Sequence, residues 1–317
     1  MIKTPIDHIP AAAPAEGHPP ARNTVLVHEL ADRWFAKYKA DGKMDYASAI
    51  PELPYRASLA GSRCDRQTYY RMAHTEESNP NTVADVWRMN IGSMIHEALG
   101  DTLANLGPQW KQEVNVDLRT IGIPGSAHAD LVRHDDNGTP NLVAELKSIN
   151  GFGFKDTATN FKGPAKGPKF GHILQGLLAA SALGVDKLVV AYLSLENLSP
   201  AMAAQYSDSD HGRFAAEWQY RVSALEPTLT HERGRILRLV NAVETETLPA
   251  RTLDDPEYPA GATVVDWPKS RKARWHLQSG DRIVQAGETW MCDYCTHRDI
   301  CIADGVGTAV TLDHEFF

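Results

Sequence analysis

Asn141-Leu-Val-Ala-Glu-Leu-Lys-Ser-Ile149 is the stretch on which the fold turns. Read as a strand, its side chains alternate between two faces. Glu145 and Lys147 then share one face, and Leu146 points the other way into a core. A carboxylate and an ammonium two residues apart form a small polar pair on an otherwise apolar segment. Charged side chains are mostly solvated, so the neighbouring sequence decides what the pair means.

Upstream, Asp135-Asp-Asn-Gly138 reads as a tight turn. It joins this strand to another over Ser126 to Arg133, and the antiparallel hairpin brings Asp130 near Glu145. Glu113 to Leu118 alternates as an earlier strand. Before it, Val86, Met89, Met94, Ile95, Leu99 and Leu103 recur at helical spacing between Thr82 and Leu106. His96 lies on that helix, and Gly107-Pro108 ends it.

Downstream, Gly151 to Gly171 reads as a loop with five glycines and two prolines. Lys155, Lys162, Lys166 and Lys169 alternate there with Phe152, Phe154, Phe161 and Phe170. Lysines for phosphates and aromatic rings for stacking suit unpaired bases; a solvated connection accounts for the same residues. Phe170 to Leu183 is a helix carrying Gln175, and Lys187 to Leu195 is a strand buried on both faces. A strand, helix, strand series implies a parallel crossover. The expected class is α/β, with a core of helix, three strands, helix and strand.

The outer segments complete the chain. Val25, Val27, Leu30, Trp34 and Phe35 suit a helix, and a second helix runs from a Ser62 cap through Tyr69 and Tyr70. Arg213 to Val222 alternates as a strand, and Pro227 to Glu246 is a helix. Leu248 to Pro268 reads as a Pro-rich connection, and Trp267 to His276 is a basic, aromatic run. The expected organisation is a disordered segment over 1–23, one domain over 24–303 and a tail over 304–317.

Composition bounds the function. The 317 residues are 43% hydrophobic and 23% charged, which is ordinary for a globular chain. A net charge of −8 argues against a uniformly basic surface, so nucleic-acid contact has to come from local patches. No apolar run is long enough to span a membrane, and the Pro- and Ala-rich start lacks the apolar core of a signal peptide. A cytoplasmic protein is the expectation.

Asp130, Glu145 and the Leu146 carbonyl are hard oxygen donors that suit Mg²⁺ or Mn²⁺. Such an ion lowers the pKa of a bound water and stabilises charge on a scissile phosphate. Lys147 can orient that water or offset charge developing on the phosphate. His96 would add a nitrogen ligand and tilt the choice toward Mn²⁺; Gln175 would hold the attacking water or a base. Taken singly, each is an ordinary polar helix residue.

Four cysteines are few for a disulfide scaffold of this length. Cys64 stands apart, whereas Cys292, Cys295 and Cys301 form C-x2-C-x5-C. Structural zinc favours two paired knuckles, a redox C-x-x-C wants a thioredoxin-like context, and a [4Fe–4S] cluster accepts four cysteines in a one-and-three split.

Asp130 with Glu145-Leu-Lys147 resembles the Asp … Glu-x-Lys signature of the PD-(D/E)XK nuclease superfamily. His96 before it and Gln175 after it resemble the added motifs of its RecB-type exonuclease branch. Cys64-Asp-Arg-Gln-Thr-Tyr-Tyr70 and the C-terminal trio are similar to the iron–sulfur members of that branch, among them the CRISPR-adaptation exonuclease and the AddB nuclease domain. The resemblance spans roughly Ser58 to Cys301. It implies a restriction-endonuclease-like core with a helical wrap closed by a four-cysteine cluster. It also implies metal-dependent hydrolysis of DNA, with single-stranded ends as substrate and recombination or repair proteins as partners. Asp130, Glu145, Lys147 and Gln175 would be catalytic, with His96, Asp130, Glu145 and Leu146 holding the metal and Cys64, Cys292, Cys295 and Cys301 the cluster. The chain departs from the pattern at Ala179, where the family helix carries a tyrosine, and at Ala127-His-Ala129, which lacks a glycine close before the aspartate. A nuclease fold serving only as a DNA-end-binding or partner-docking module is the rival reading.

Overall fold

A computed structural model describes residues 54–104, 107–158, 165–196, 199–204, 214–254, 262–265, 283–285, 290–293 and 295–305. The readings of 1–23, the helix at Val25 to Phe35, Phe161, Lys162, Trp267 to His276, and the tail beyond 305 lie outside these residues. In chain order the elements are β1 (Tyr55–Arg56), α1 (Asp65–Met72), α2 (Val83–Ala104), β2 (Trp110–Asp117), β3 (Gly125–His134) and β4 (Pro140–Ile149). There follow α3 (Gly151–Ala158), α4 (Phe170–Ala182), β5 (Lys187–Ser194), α5 (Pro200–Ala203), β6 (Ala215–Arg221) and α6 (Glu226–Glu244). The last are β7 (Thr252–Leu253), β8 (Ala262–Val265), β9 (Ile283–Gln285), α7 (Trp290–Asp293) and α8 (Arg298–Ala303). The expected helix, three strands, helix, strand order is present as α2, β2, β3, β4, α4 and β5, in a mixed α/β arrangement.

The main sheet runs β1-β3-β4-β5-β6, with β2 on β3. The turn between β3 and β4 forms as its residues dictate. Gly138 takes φ 78°, open to glycine, and Asp135 Oδ1 accepts the N–H groups of Asn137 and Thr139 at 2.9 and 2.8 Å. The β3–β4 ladder is antiparallel, from Leu131 opposite Ala144 to Arg133 opposite Leu142. β4 and β5 are parallel, from Val143 beside Leu188 to Ile149 beside Ser194. A helical crossover is what a parallel pair requires, and α4 provides it.

β5 is covered on both faces. On one side Val143, Leu188, Val190 and Tyr192 pack with Leu174, Leu177 and Leu178 of α4. Burying each of these leucines contributes about 2 kcal/mol. On the other side Leu131, Leu142, Ala144, Leu146 and Val189 form a smaller cluster.

Three sequence readings are corrected. The segment 151–171 is not a continuous loop, because its first eight residues form α3 and bury Phe154 to 1% exposure. The glycines there do not prevent a helix once the Phe154 side chain has a core to enter. The Leu248 to Pro268 connection contributes β7 and β8, which pair with each other, and β8 also pairs with β9 in a second sheet. Ser62 does not cap α1. Cys64 occupies the cap position, and Ser62 Oγ donates to Gln67 Oε1 at 2.6 Å.

A buried ionic network ties α1 to α6. Arg63, Arg66, Arg235 and Glu232 are each at most 2% exposed. Arg63 bonds both Glu232 oxygens at 3.1 and 3.0 Å and Asp254 Oδ2 at 2.8 Å. Arg235 bonds Asp65 Oδ1 at 2.7 Å and Glu232 Oε1 at 3.2 Å. Arg66 donates to the carbonyls of Pro249 and Gly305. Charges this deep persist because each is paired and hydrogen-bonded. Among the described residues no helix is long and apolar enough to cross a membrane.

Candidate active site

The site opens where β3 and β4 part. The ladder between them stops at Leu131 and Ala144, and β4 continues with β5 as far as Ile149. In the gap, Asp130 replaces the missing backbone partner: its Oδ2 accepts the Leu146 N–H at 2.7 Å. An extended residue points its N–H and C=O to the same side, so the Leu146 carbonyl faces this gap as well.

Glu145 is 1% exposed and lies beneath α4. The helix can approach so closely because residue 176 is glycine. A Cβ there would meet Leu188 Cδ1 at 2.6 Å and Glu145 Cβ at 3.3 Å. Lys147 Nζ forms an ion pair with Glu145 Oε1. Glu145 Oε2 accepts no hydrogen bond from the described residues, and both oxygens are shut off from solvent. Burial pushes the Glu145 carboxyl up to about 8; Lys147 opposes that rise, and Asp130 and Glu113 add to it. The Lys147 ammonium is raised: burial works against it, and Glu145 and Asp130 outweigh the burial.

The sequence motif therefore converges as expected at Asp130, Glu145 and Lys147. Gln175 is partly buried beside Gly176 and makes no hydrogen bond among the described residues. Ala179, where the resemblance expects tyrosine, is 1% exposed inside the main core, so this position has no access to a bound strand. His96 is on α2, but its side chain lies outside the described residues. The helix itself crosses β4 close by, since a Cβ on Gly92, one turn earlier, would lie 3.3 Å from Ser148 Oγ.

Sequence reasoning missed three neighbours. Glu113 on β2, between residues paired with Leu131 and Ala129, takes φ 47° and acts electrostatically on Asp130, Glu145 and Lys147. A charged residue in an alternating strand gave no separate signal. His128 stands two residues before Asp130, with Nδ1 3.9 Å from Glu113 Oε2. Burial and Arg56 hold its pKa down, and its Nε2 is buried without a hydrogen-bond partner. Gly176 announced itself only as a glycine inside a helix, which implies a close approach.

The lysine and phenylalanine segment is less free than its sequence suggests. Lys155 pairs with Glu196 and Lys166 with Asp156, at 2.5 and 2.8 Å. Phe154 belongs to the core, while Phe152 is 58% exposed.

The four cysteines are free thiols that line one cavity, together with Tyr70, Arg251 and Met291. Burial pushes the Cys64 thiol up to about 12, and Cys295 and Cys301 add to the rise. Cys292 is raised by burial and by the other three. Direct contacts already join the segments that carry them. Tyr70 donates to Asp304 Oδ2 at 2.6 Å, Arg251 to the Cys301 carbonyl at 2.6 Å, and Cys64 bridges Leu253. His297, 1% exposed, stacks on Tyr70 and donates from Nε2 to the Thr75 carbonyl at 3.0 Å, leaving Nδ1 to accept from Thr296. Among the described residues no three His, Cys, Asp or Glu side chains are grouped as ligands of a single ion.

No family model and no curated protein matches the sequence. Solved structures with similar folds include a protein titled SSO0001, 16% identical over 87% of this chain and 96% of its own, with a TM-score of 0.42. They also include an alkaline exonuclease, LHK-Exo, from Laribacter hongkongensis, 16% identical over 68% of this chain and 93% of its own, with a TM-score of 0.41. The same exonuclease in complex with dAMP gives 17% identity over 68% and 95%, and a TM-score of 0.40.

Proposed function

We propose that the chain is a metal-dependent deoxyribonuclease that hydrolyses phosphodiester bonds at DNA ends. One observation carries the reading: Asp130, Glu145 and Lys147 meet where the sheet splits, with the Glu145 carboxylate buried, Oε1 paired to Lys147 and Oε2 without a donor among the described residues. A buried carboxylate oxygen without a donor costs stability. A divalent cation is the partner that would remove that cost.

Asp130, Glu145 and the Leu146 carbonyl would hold Mg²⁺ or Mn²⁺, with His96 as the nitrogen ligand that the resemblance implies. When bound, the ion supplies Lewis acidity and a water of lowered pKa. The protein does the remainder. The Leu146 N–H fixes the Asp130 carboxylate, so that its second oxygen is directed rather than free. Lys147 carries a positive charge toward the scissile phosphate and offsets the charge that builds there. Gln175, on the helix that covers Glu145, would hold the attacking water or a base.

Single-stranded ends remain the proposed substrate, on a narrower basis than the sequence implied. Exposed Phe152 follows the strand that carries Lys147, and Lys169 precedes α4. Processing of DNA in recombination or repair is the setting the resemblance implies. The four cysteines around one cavity would hold a [4Fe–4S] cluster, with zinc as the alternative.

The test is incubation of end-labelled single- and double-stranded DNA with Mn²⁺ or Mg²⁺. Release of nucleotides that stops with chelator, and in Glu145→Gln and Lys147→Met, is the expected result. DNA binding with no cleavage under any metal would favour the docking module.

A further inference from the structure

The catalytic strand has a second polar neighbour that the motif does not contain. Tyr192 on β5 is fully buried and lies beside Lys147 in the parallel ladder. Its hydroxyl oxygen accepts the Lys169 N–H at 2.8 Å and lies 2.7 Å from His172 Nδ1. The hydroxyl has one proton to give, and Nδ1 is the acceptor within reach. That assigns the His172 proton to Nε2. The rings meet edge to face, with centroids 5.6 Å apart, and Trp218 braces Tyr192 from a third side.

His172 is placed over the site by the helix. It precedes Gly176 by one turn, and Gly176 rests on Glu145. Lys147 follows Glu145 by two residues on the same strand face, so His172 stands above Lys147 as Gly176 stands above Glu145. The imidazole is kept neutral by burial first, then by the cations of Lys147 and Lys169. Its Nε2 makes no hydrogen bond among the described residues.

We propose that His172, locked by Tyr192 with its proton on Nε2, is a positioning donor that holds a non-bridging oxygen of the DNA phosphate beside Lys147. The inference rests on the nuclease reading. A neutral donor suits this place, because a second cation against Lys147 would repel it, whereas an N–H dipole adds to the anion's binding without that cost. The buried tyrosine supplies what an exposed histidine lacks, a single tautomer and a fixed ring.

The experiment uses the full chain with ¹⁵N-labelled histidine and EDTA present, so that nothing is cleaved. NMR should show His172 Nδ1 unprotonated and Nε2 protonated, and saturating oligothymidylate should shift the Nε2–H signal. Tyr192→Phe should show both tautomers. His172→Ala should weaken oligothymidylate binding about tenfold. His172→Gln, which keeps an N–H donor at similar reach, should recover most of the loss, which a merely structural role would not produce. A protonated Nδ1 in the wild type, or an Nε2–H signal unmoved at saturating oligonucleotide, overturns the proposal. If Nε2–H shifts but the wild type releases no nucleotides with Mn²⁺, the donor stands and the nuclease reading falls. If the wild type cleaves and Nε2–H is unmoved, the reverse holds.

Discussion

Gly176 lies directly over Glu145, close enough that a Cβ on the helix would stand 3.3 Å from the Cβ of the acid. The burial of the Glu145 carboxylate is therefore set by a residue with no side chain. The same contact brings Gln175 and His172 to the site, since both are on that helix.

Gly176→Val should lift α4 from the sheet. A valine in a glycine-sized gap costs about 2 kcal/mol through overpacking, set against the roughly 1 kcal/mol that glycine costs a helix interior. A net fall in thermal midpoint is expected, with a larger loss of cleavage than Ala180→Gly produces elsewhere on the helix. Differential scanning calorimetry beside the end-label assay checks it, and an unchanged midpoint would show that the helix does not rest on Glu145.

Asp130→Asn should weaken Mn²⁺ binding while keeping the fold. The amide oxygen can still accept the Leu146 N–H, so the strand geometry survives, but one anionic ligand is lost. Isothermal titration should show at least about a tenfold rise in Kd. Unchanged affinity removes Asp130 from the ion.

Asp254 should govern acid stability. Burial pushes its carboxyl up, but the His231 hydrogen bond and the Arg63 and Arg235 charges override this and leave it at about 2, against 3.8 unfolded. A depressed pKa gives stability that is present above the unfolded value and lost as pH falls through the folded one, here about 2 kcal/mol. His231 is raised by its hydrogen bond to Asp254, so its share is present below the ordinary histidine value of 6.5 and lost as pH rises through the raised one. Urea titrations of Asp254→Asn should flatten both slopes. A wild-type pH profile in that variant would mean the network does not act through Asp254.

Cys64→Ser and Cys301→Ser should behave alike, although the two cysteines lie at opposite ends of the domain. Both line the same cavity. On anaerobically prepared protein, each should lose iron, sulfide and the broad visible absorbance, and each should melt earlier, because bound metal contributes to folding. Cleavage should fall through loosening of the domain. Full colour in Cys64→Ser would exclude that ligand; a wild type carrying zinc without iron would keep the geometry and change the metal.

Local chemistry made much of this chain legible. The strand from Asn141 to Ile149, the turn at Asp135 to Gly138 and the helix with Leu174, Leu177 and Leu178 follow from alternation, glycine placement and helical spacing. Those periodicities are set by backbone geometry within a few residues. They bring Asp130, Glu145 and Lys147 to one end of the hairpin. The segment 151–158 escaped them because its glycines argue for a loop, and only the pocket awaiting Phe154 makes a helix worthwhile.

The tertiary structure decided what contacts between distant residues decide. Whether Lys155 and Lys166 were open to a ligand depended on Glu196 and Asp156. Whether position 179 could reach a strand depended on the core that closed over it. The place of Glu113 beside Asp130, the contact of His172 with Tyr192, and the approach of α4 allowed by Gly176 all arise from packing one element on another. A hydrophobic pattern specifies which face is buried, but the depth of Glu145 is settled by the shape of the helix above it, and that shape exists only once the sheet and helix have met.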